Sequence, residues 1–178
     1  VQANGKAVSP GFINMLSHSQ ASFDIDPRLV SDIKQGVTLE VMGEGWSMGP
    51  LTPATRALLD AQRDAGSPPI DWTTLDEYLR RIEERGVSAN IASFVGATTV
   101  RLAVLGEADV DPTPDQLGQM RQLVAHAMRD GAMGLGTSLI YPPAGYSETP
   151  ELIALASEAG TCGGMYISHM RSEGDRIE

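Results

Sequence analysis

The sequence predicts an α/β chain in which parallel strands are joined by crossover helices. Two observations carry this prediction. Short apolar runs alternate with segments of helical periodicity, and similar start and stop residues bracket the helical segments. A third observation bounds the architecture. The 178 residues suffice for a sizeable core, and strand–helix alternation fits either an open doubly wound sheet or a (β/α)8 barrel. No GxGxxG follows the first apolar run and no GxxxxGK[ST] occurs anywhere, so the common nucleotide-binding sheets lose support. A barrel typically needs about 250 residues, which leaves room here for roughly the first five of eight units.

The elements follow in order. Gly11–Leu16 is short and apolar enough for a buried strand. Asp26 as N-cap and Pro27 at the first helical position predict a helix with Leu29, Val30 and Ile33 on its apolar face and Gly36 at its end. Val37–Met42 reads as the second strand. The long segment 43–72 is expected to hold a helix near Ala54–Asp64, ended by Pro68 and Pro69. Thr74 and Glu77 form a capping-box pattern ahead of Tyr78, Leu79 and Ile82, and Gly86 closes that helix. Ser88–Val95 is a third strand, and the run Val100–Leu105 is a strand or part of a loop. Thr113, Pro114 and Gln116 repeat the cap signal before Leu117, Met120, Val124 and Ala127, with Gly131 as the stop. Ala132–Leu135 is a strand, Thr149 and Pro150 open a helix through Ala159, and Met165–Ser168 is the last strand.

Composition narrows the function. A formal net charge of -10 argues against nonspecific nucleic-acid binding. No apolar run reaches the roughly 18 residues of a membrane span. The single cysteine, Cys162, rules out an internal disulfide framework and reads as a small buried or half-buried thiol. The chain begins at Val1 without a Met, so the absence of a visible signal peptide leaves cytoplasmic and exported locations both open. Oligomeric state is not legible.

In parallel α/β folds of the barrel type, active sites form at the C-terminal ends of the strands. Two of the three histidines, His18 and His169, directly follow predicted strands; His126 lies within a predicted helix, off its apolar stripe, and reads as a surface residue. Imidazole is a common zinc ligand, though a hydrogen-bonded structural histidine is the default. Glu44 also follows a strand, between Gly43 and Gly45, where the backbone can turn sharply or approach something closely. Its carboxylate either reaches a cation or sits in a solvated turn.

These residues fall within a family pattern. Ser9–Ile13 leading to His18 resembles the PGFID…HxH first-strand motif of the amidohydrolase superfamily, and Gln35–Thr38 with Gly43-Glu44-Gly45 resembles the second-strand region of the N-acyl-D-amino-acid deacylases. Most specific is the stretch from Gly131 through Leu139-Ile140-Tyr141-Pro142-Pro143 and Tyr146 to Gly163–Arg171. It is similar almost end to end to the GLSTGLIYPPxxY…GGxYxSHMR signature of these deacylases.

The resemblance implies a partial (β/α)8 barrel over residues 10–178, with residues 1–9 ending an N-terminal β-sandwich segment. It implies hydrolysis of the amide of an N-acyl-D-amino acid, a small-molecule substrate, by a water activated on one tightly bound Zn2+. His169 and His18 would be metal ligands, Tyr141 would lie at the substrate, and the general-base aspartate would come from beyond residue 178. That would leave the chain inactive on its own. Beside these, Glu44 is a candidate third ligand and Arg171 a candidate partner for a substrate carboxylate. The alternatives are hydrolysis of cyclic amides and a non-catalytic barrel without its metal site. Four positions depart from the family pattern. Asn14 and Leu16 replace an aspartate and the first histidine of HxH, Gly45 stands at a cysteine ligand, and Ala97 stands where a VGHGT-like motif has histidine.

Overall fold

The computed structural model describes residues 2–20, 22–63 and 67–174. They form six strands, β1 (Phe12–Asn14), β2 (Val37–Met42), β3 (Asn90–Ser93), β4 (Val95–Gly96), β5 (Gly134–Ser138) and β6 (Met165–His169). The α-helices are α1 (Val30–Lys34), α2 (Pro53–Ala61), α3 (Leu75–Arg85), α4 (Ala97–Leu105), α5 (Pro114–Arg129) and α6 (Thr149–Thr161). The strands pair in two parallel sheets, β1-β2-β3 and β4-β5-β6.

One stretch of chain joins the sheets. β3 and β4 are separated only by Phe94, whose N–H donates to the Met42 carbonyl at 2.8 Å. β3 is bonded to β2 on one side, β4 to β5 on the other, and the Met133 N–H reaches the Ser93 carbonyl at 2.9 Å. All C-terminal strand ends therefore lie along one rim.

The core lies between the sheets and the helices that cross back over them. Met42, Val95 and Leu135 from the strands meet Tyr78 and Ile82 of α3, Val100 of α4, Met120 and Val124 of α5 and Leu155 of α6. Three helices start at reciprocal capping boxes: Thr52 with Thr55, Thr74 with Glu77, and Thr113 with Gln116.

The structure corrects the sequence reading at several elements. β1 is only three residues long. α1 starts at Val30, since Leu29 takes a left-handed conformation (φ 47°) that breaks the helical path. Asp26 does not cap it; its carboxylate pairs with Arg28 at 2.8 Å and accepts the Arg28 N–H. Val30 and Ile33, expected on the apolar face, are 42% and 39% exposed. The run Val100–Leu105 belongs to helix α4, neither strand nor loop. The strand expected at Ala132–Leu135 lies at Gly134–Ser138. Cys162, expected to be buried or half-buried, is exposed at the end of α6. No helix among the described residues is long and apolar enough to cross a membrane.

Candidate active site

The site is built on the rim where the parallel strands end. Its centre is the turn Gly43-Glu44-Gly45 after β2. This turn passes directly over the neighbouring strands. A Cβ on Gly43 would overlap the Phe94 backbone, one on Gly136 the Gly43 carbonyl, and one on Gly96 the Gly45 carbonyl. The glycines beside Glu44 thus serve close backbone crossing, and both have positive φ, 95° and 76°.

The turn is also fixed to α4. The Gly45 carbonyl accepts the Thr98 N–H at 2.9 Å and the Thr99 N–H at 3.3 Å, which caps the helix without a side chain. Ser47 completes the joint. Its N–H donates to Thr99 Oγ1 at 2.9 Å, its hydroxyl donates to the Gly49 carbonyl at 2.6 Å and accepts the Gly96 N–H at 2.9 Å.

On this frame Glu44 is half-buried; its carbonyl accepts the Trp46 N–H at 2.9 Å, and its carboxylate has no hydrogen bond or ion pair among the described residues. Its Cα stands 3.2 Å from the position a Cβ on Gly136 would occupy. Two residues further along β5, Ser138 is the register partner of His169. The Glu44 turn and His169 therefore meet the same strand near its end.

His169 closes β6. Its ring lies against that of Tyr141, with centroids 5.5 Å apart and planes tilted by 58°. Nδ1 is 3.2 Å from the Met170 carbonyl and Nε2 is 3.4 Å from Glu173 Oε1. Tyr141 itself is 58% exposed. Arg171 does not project a free guanidinium. It donates to the Gly145 carbonyl at 3.0 Å and to the Ser147 carbonyl, tying the segment after β6 to the loop that carries Tyr141.

His18 lies four residues after the end of β1. It is exposed and lines a cavity of about 320 Å³ with Trp46, Met48, Leu59 and Arg63. Among the described residues, no three His, Cys, Asp or Glu side chains come together in a group that could hold a metal ion. The donor set of this segment does not by itself fit a zinc site. His126 is exposed on α5, as read from sequence.

Sequence reasoning missed Ser47, Trp46 and Arg63. Ser47 and Trp46 directly follow Gly45, so their place on the rim was available from the end of β2. Arg63 lies in a connection whose folding back no local pattern signals.

Comparison with known proteins decides the family. No protein-family model matches the sequence. A D-aminoacylase from Alcaligenes xylosoxydans xylosoxydans is 34% identical over 99% of this chain. The chain belongs to the N-acyl-D-amino-acid deacylase family.

Two solved structures agree with this placement. A D-aminoacylase described for its binuclear metal centre matches with a TM-score of 0.82 at 33% identity, over 95% of this chain and 36% of that one. The N-acyl-D-glutamate deacylase from Bordetella bronchiseptica matches with a TM-score of 0.82 at 30% identity, over 99% of this chain and 37% of that one. It was solved with zinc and a phosphonate inhibitor that mimics the tetrahedral intermediate. The chain spans 37% of the length of the D-aminoacylase from Alcaligenes.

Proposed function

We propose that this chain supplies part of the active-site rim of an amidohydrolase that cleaves the amide bond of N-acyl-D-amino acids. The observation that carries this reading is the Tyr141–His169 contact. It joins the two ends of the chain's most specific deacylase motif at one strand terminus. On the same reading the two parallel sheets are an arc of a (β/α)8 barrel. The shared split strand and the match to D-aminoacylase structures support that arrangement.

In this proposal Tyr141 points its hydroxyl at the acyl carbonyl and donates a hydrogen bond as negative charge develops on the oxygen. His169 orients that ring from the side. Arg171 acts through the backbone: by holding the Gly145 and Ser147 carbonyls it fixes the loop on which Tyr141 sits. A substrate-carboxylate role for Arg171 would require giving up these bonds. Zinc enters the proposal from the metal centres of the relatives, with His169, Glu44 and His18 as this segment's contribution. Because these residues assemble no complete site here, no step is assigned to the ion. Alone, the chain is proposed to be inactive.

The test is a substrate panel on a polypeptide of the relatives' length containing this segment. Release of free D-amino acid from N-acetyl-D-amino acids, lost in Tyr141→Phe and His169→Ala, is the expected result. Opening of hydantoins or dihydropyrimidines instead would transfer the chain to cyclic-amide chemistry. Turnover of neither class would leave the non-catalytic reading, whose sign in the sequence is Leu16 in place of the first histidine of HxH.

A further inference from the structure

The turn after β2 and the end of β5 compete for one space. A Cβ on Gly45 would stand 2.5 Å from Ser138 Cβ and 3.3 Å from Thr98 Oγ1. Ser138 Cβ is fixed to its own backbone, which pairs with β6 at His169, so it cannot swing aside without moving the strand. Thr98 is equally confined. It lies in the first turn of α4, 2% exposed, and its hydroxyl has no partner among the described residues. A side chain at position 45 and one at position 138 therefore exclude each other in this packing.

Both positions depart from the deacylase pattern, in opposite directions. That pattern has a cysteine at position 45, where this chain has glycine. Along residues 134–143 this chain reads GLGTSLIYPP against the pattern's GLSTGLIYPP. Serine thus stands at 138 in place of glycine, and glycine at 136 in place of serine. The second exchange has a packing reason too. A Cβ on Gly136 would be 2.3 Å from the Gly43 carbonyl oxygen, so the turn lies on bare backbone at 136 and the strand's side chain stands at 138 instead. Where Gly45 meets Ser138, the turn carries one side chain fewer than the pattern and the strand one more.

We propose that Ser138 fills, from β5, the space that the deacylase pattern gives to the cysteine after β2, and that residue 138 decides whether position 45 can supply a ligand to the rim. The residues of this rim do not fit a thiolate-bearing zinc site. Glu44, His169 and the hydroxyls of Ser138 and Thr98 leave it with oxygen and nitrogen donors, which suit harder ions than a thiolate does. Only the pattern used for comparison rests on the deacylase reading; the steric exclusion is a property of this chain.

The first experiment is a thermodynamic cycle on the 178-residue chain with Gly45→Ala, Ser138→Gly and the double variant, read by thermal melts. The left-handed backbone at Gly45 (φ 76°) strains any side chain there, but that strain is common to both backgrounds and cancels in the cycle. Gly45→Ala is expected to lower the melting temperature of the parent, and to lower it less when residue 138 is already glycine. Equal falls in both backgrounds would overturn the proposal. So would failure to fold in both, since glycine at 138 would then not have opened the space.

The second experiment asks what the opened space can do. Gly45→Cys with Ser138→Gly is made together with Cys162→Ser, so that position 45 carries the only thiol. The variant is titrated with Co2+ and read by thiolate-to-metal charge-transfer absorption. The absorption is expected to appear in this variant and to be lost on adding His169→Ala, because residues 138 and 169 are register partners on adjacent strands, about 5 Å apart. Its absence, or its survival without His169, would show that position 45 does not face the rim and would overturn the ligand role given to it. Neither readout uses amide cleavage. A coupled cycle in a polypeptide without deacylase activity would keep the exclusion and discard the enzyme reading, and turnover with an uncoupled cycle would do the reverse.

Discussion

Arg101 on α4 and Glu151 on α6 form an ion pair of 2.6 Å with both side chains shut away from solvent, 0% and 3% exposed. The second Glu151 oxygen accepts the Ser147 hydroxyl at 2.8 Å, and Arg101 also donates to the Val110 carbonyl at 2.7 Å. Ser147 in turn gives its carbonyl to Arg171. The pair thus anchors the loop between β5 and α6, on which Tyr141 stands. Arg101 Nε has no hydrogen-bond partner among the described residues, so the network is incompletely satisfied. Removing one partner alone, as in Glu151→Leu or Arg101→Met, is expected to cost about 3–5 kcal/mol by stranding a buried charge. The double variant is expected to recover most of that loss. Urea denaturation of the three variants checks both statements; additive single losses would show that the charges are not coupled.

The glycines divide into two groups with opposite expected effects. At Gly96 a methyl group would overlap the Gly45 carbonyl and at Gly136 the Gly43 carbonyl, so Gly96→Ala or Gly136→Ala must displace the turn that carries Glu44. Each is expected to destabilise by about 1–3 kcal/mol, the usual cost of forcing atoms into a packed site. Gly118 lies inside α5 with nothing near its would-be Cβ. Gly118→Ala is expected to stabilise by about 1 kcal/mol through helix propensity. Thermal melts of the three variants beside the parent chain test the division.

The same contrast shows what the sequence could reveal. The boxes Thr74/Glu77 and Thr113/Gln116 were readable because a cap followed by Glu or Gln at the third position is a local signal. The box at Thr52 was not, because Thr55 fills the role usually given to Glu or Gln. α4 escaped because Ala97–Leu102 are all buried, which erases the one-sided pattern that separates a helix from a strand. His18, Glu44 and His169 were each expected directly after a strand; Glu44 follows the end of β2 by two residues, His169 is the last residue of β6, and His18 stands four residues beyond a β1 that ends early at Asn14. Whether they share a site depends on how the turn after β2 crosses β4 and β5, and no residue spacing encodes that. The partners of Arg171 were equally hidden: they are carbonyls of another loop, which any sequence would offer.

Two exposed carboxylates should respond to acid in a defined direction. Backbone N–H groups of Thr74 and then Thr73 hold the Glu77 carboxyl below the usual glutamate range. Hydrogen bonds from the Arg28 side chain, then its backbone N–H, hold Asp26 at about 2. Both groups bind protons less readily folded than unfolded, so their support is full above the ordinary carboxylate range and is lost as pH falls through the folded value. Between about pH 4 and pH 2 the unfolded chain takes up these protons first. The melting temperature is expected to fall across that window in the parent. It is expected to fall less steeply in Glu77→Gln and Asp26→Asn, each compared with its own value at neutral pH. Identical slopes in parent and variants would remove the assigned bonds from the acid response.

Zinc uptake gives the last test. His169, half-buried, has its Nε2 3.4 Å from the exposed Glu173 carboxylate, while His18 faces the Trp46 cavity. Two donors bind a metal far more weakly than the four-coordinate sets typical of protein zinc sites, because the remaining positions stay with water. The described residues bring no third His, Cys, Asp or Glu to either place. The 178-residue chain is therefore expected to bind Zn2+ only weakly, with no saturable stoichiometric site at micromolar metal. His169→Ala should change this background little, and His18→Ala likewise. Isothermal titration at neutral pH, repeated on both variants, measures it. A tight one-to-one site lost in His169→Ala would show that donors from this chain close around the ion by themselves. In that case Glu44, already half-buried over the end of β5, is the first residue to replace.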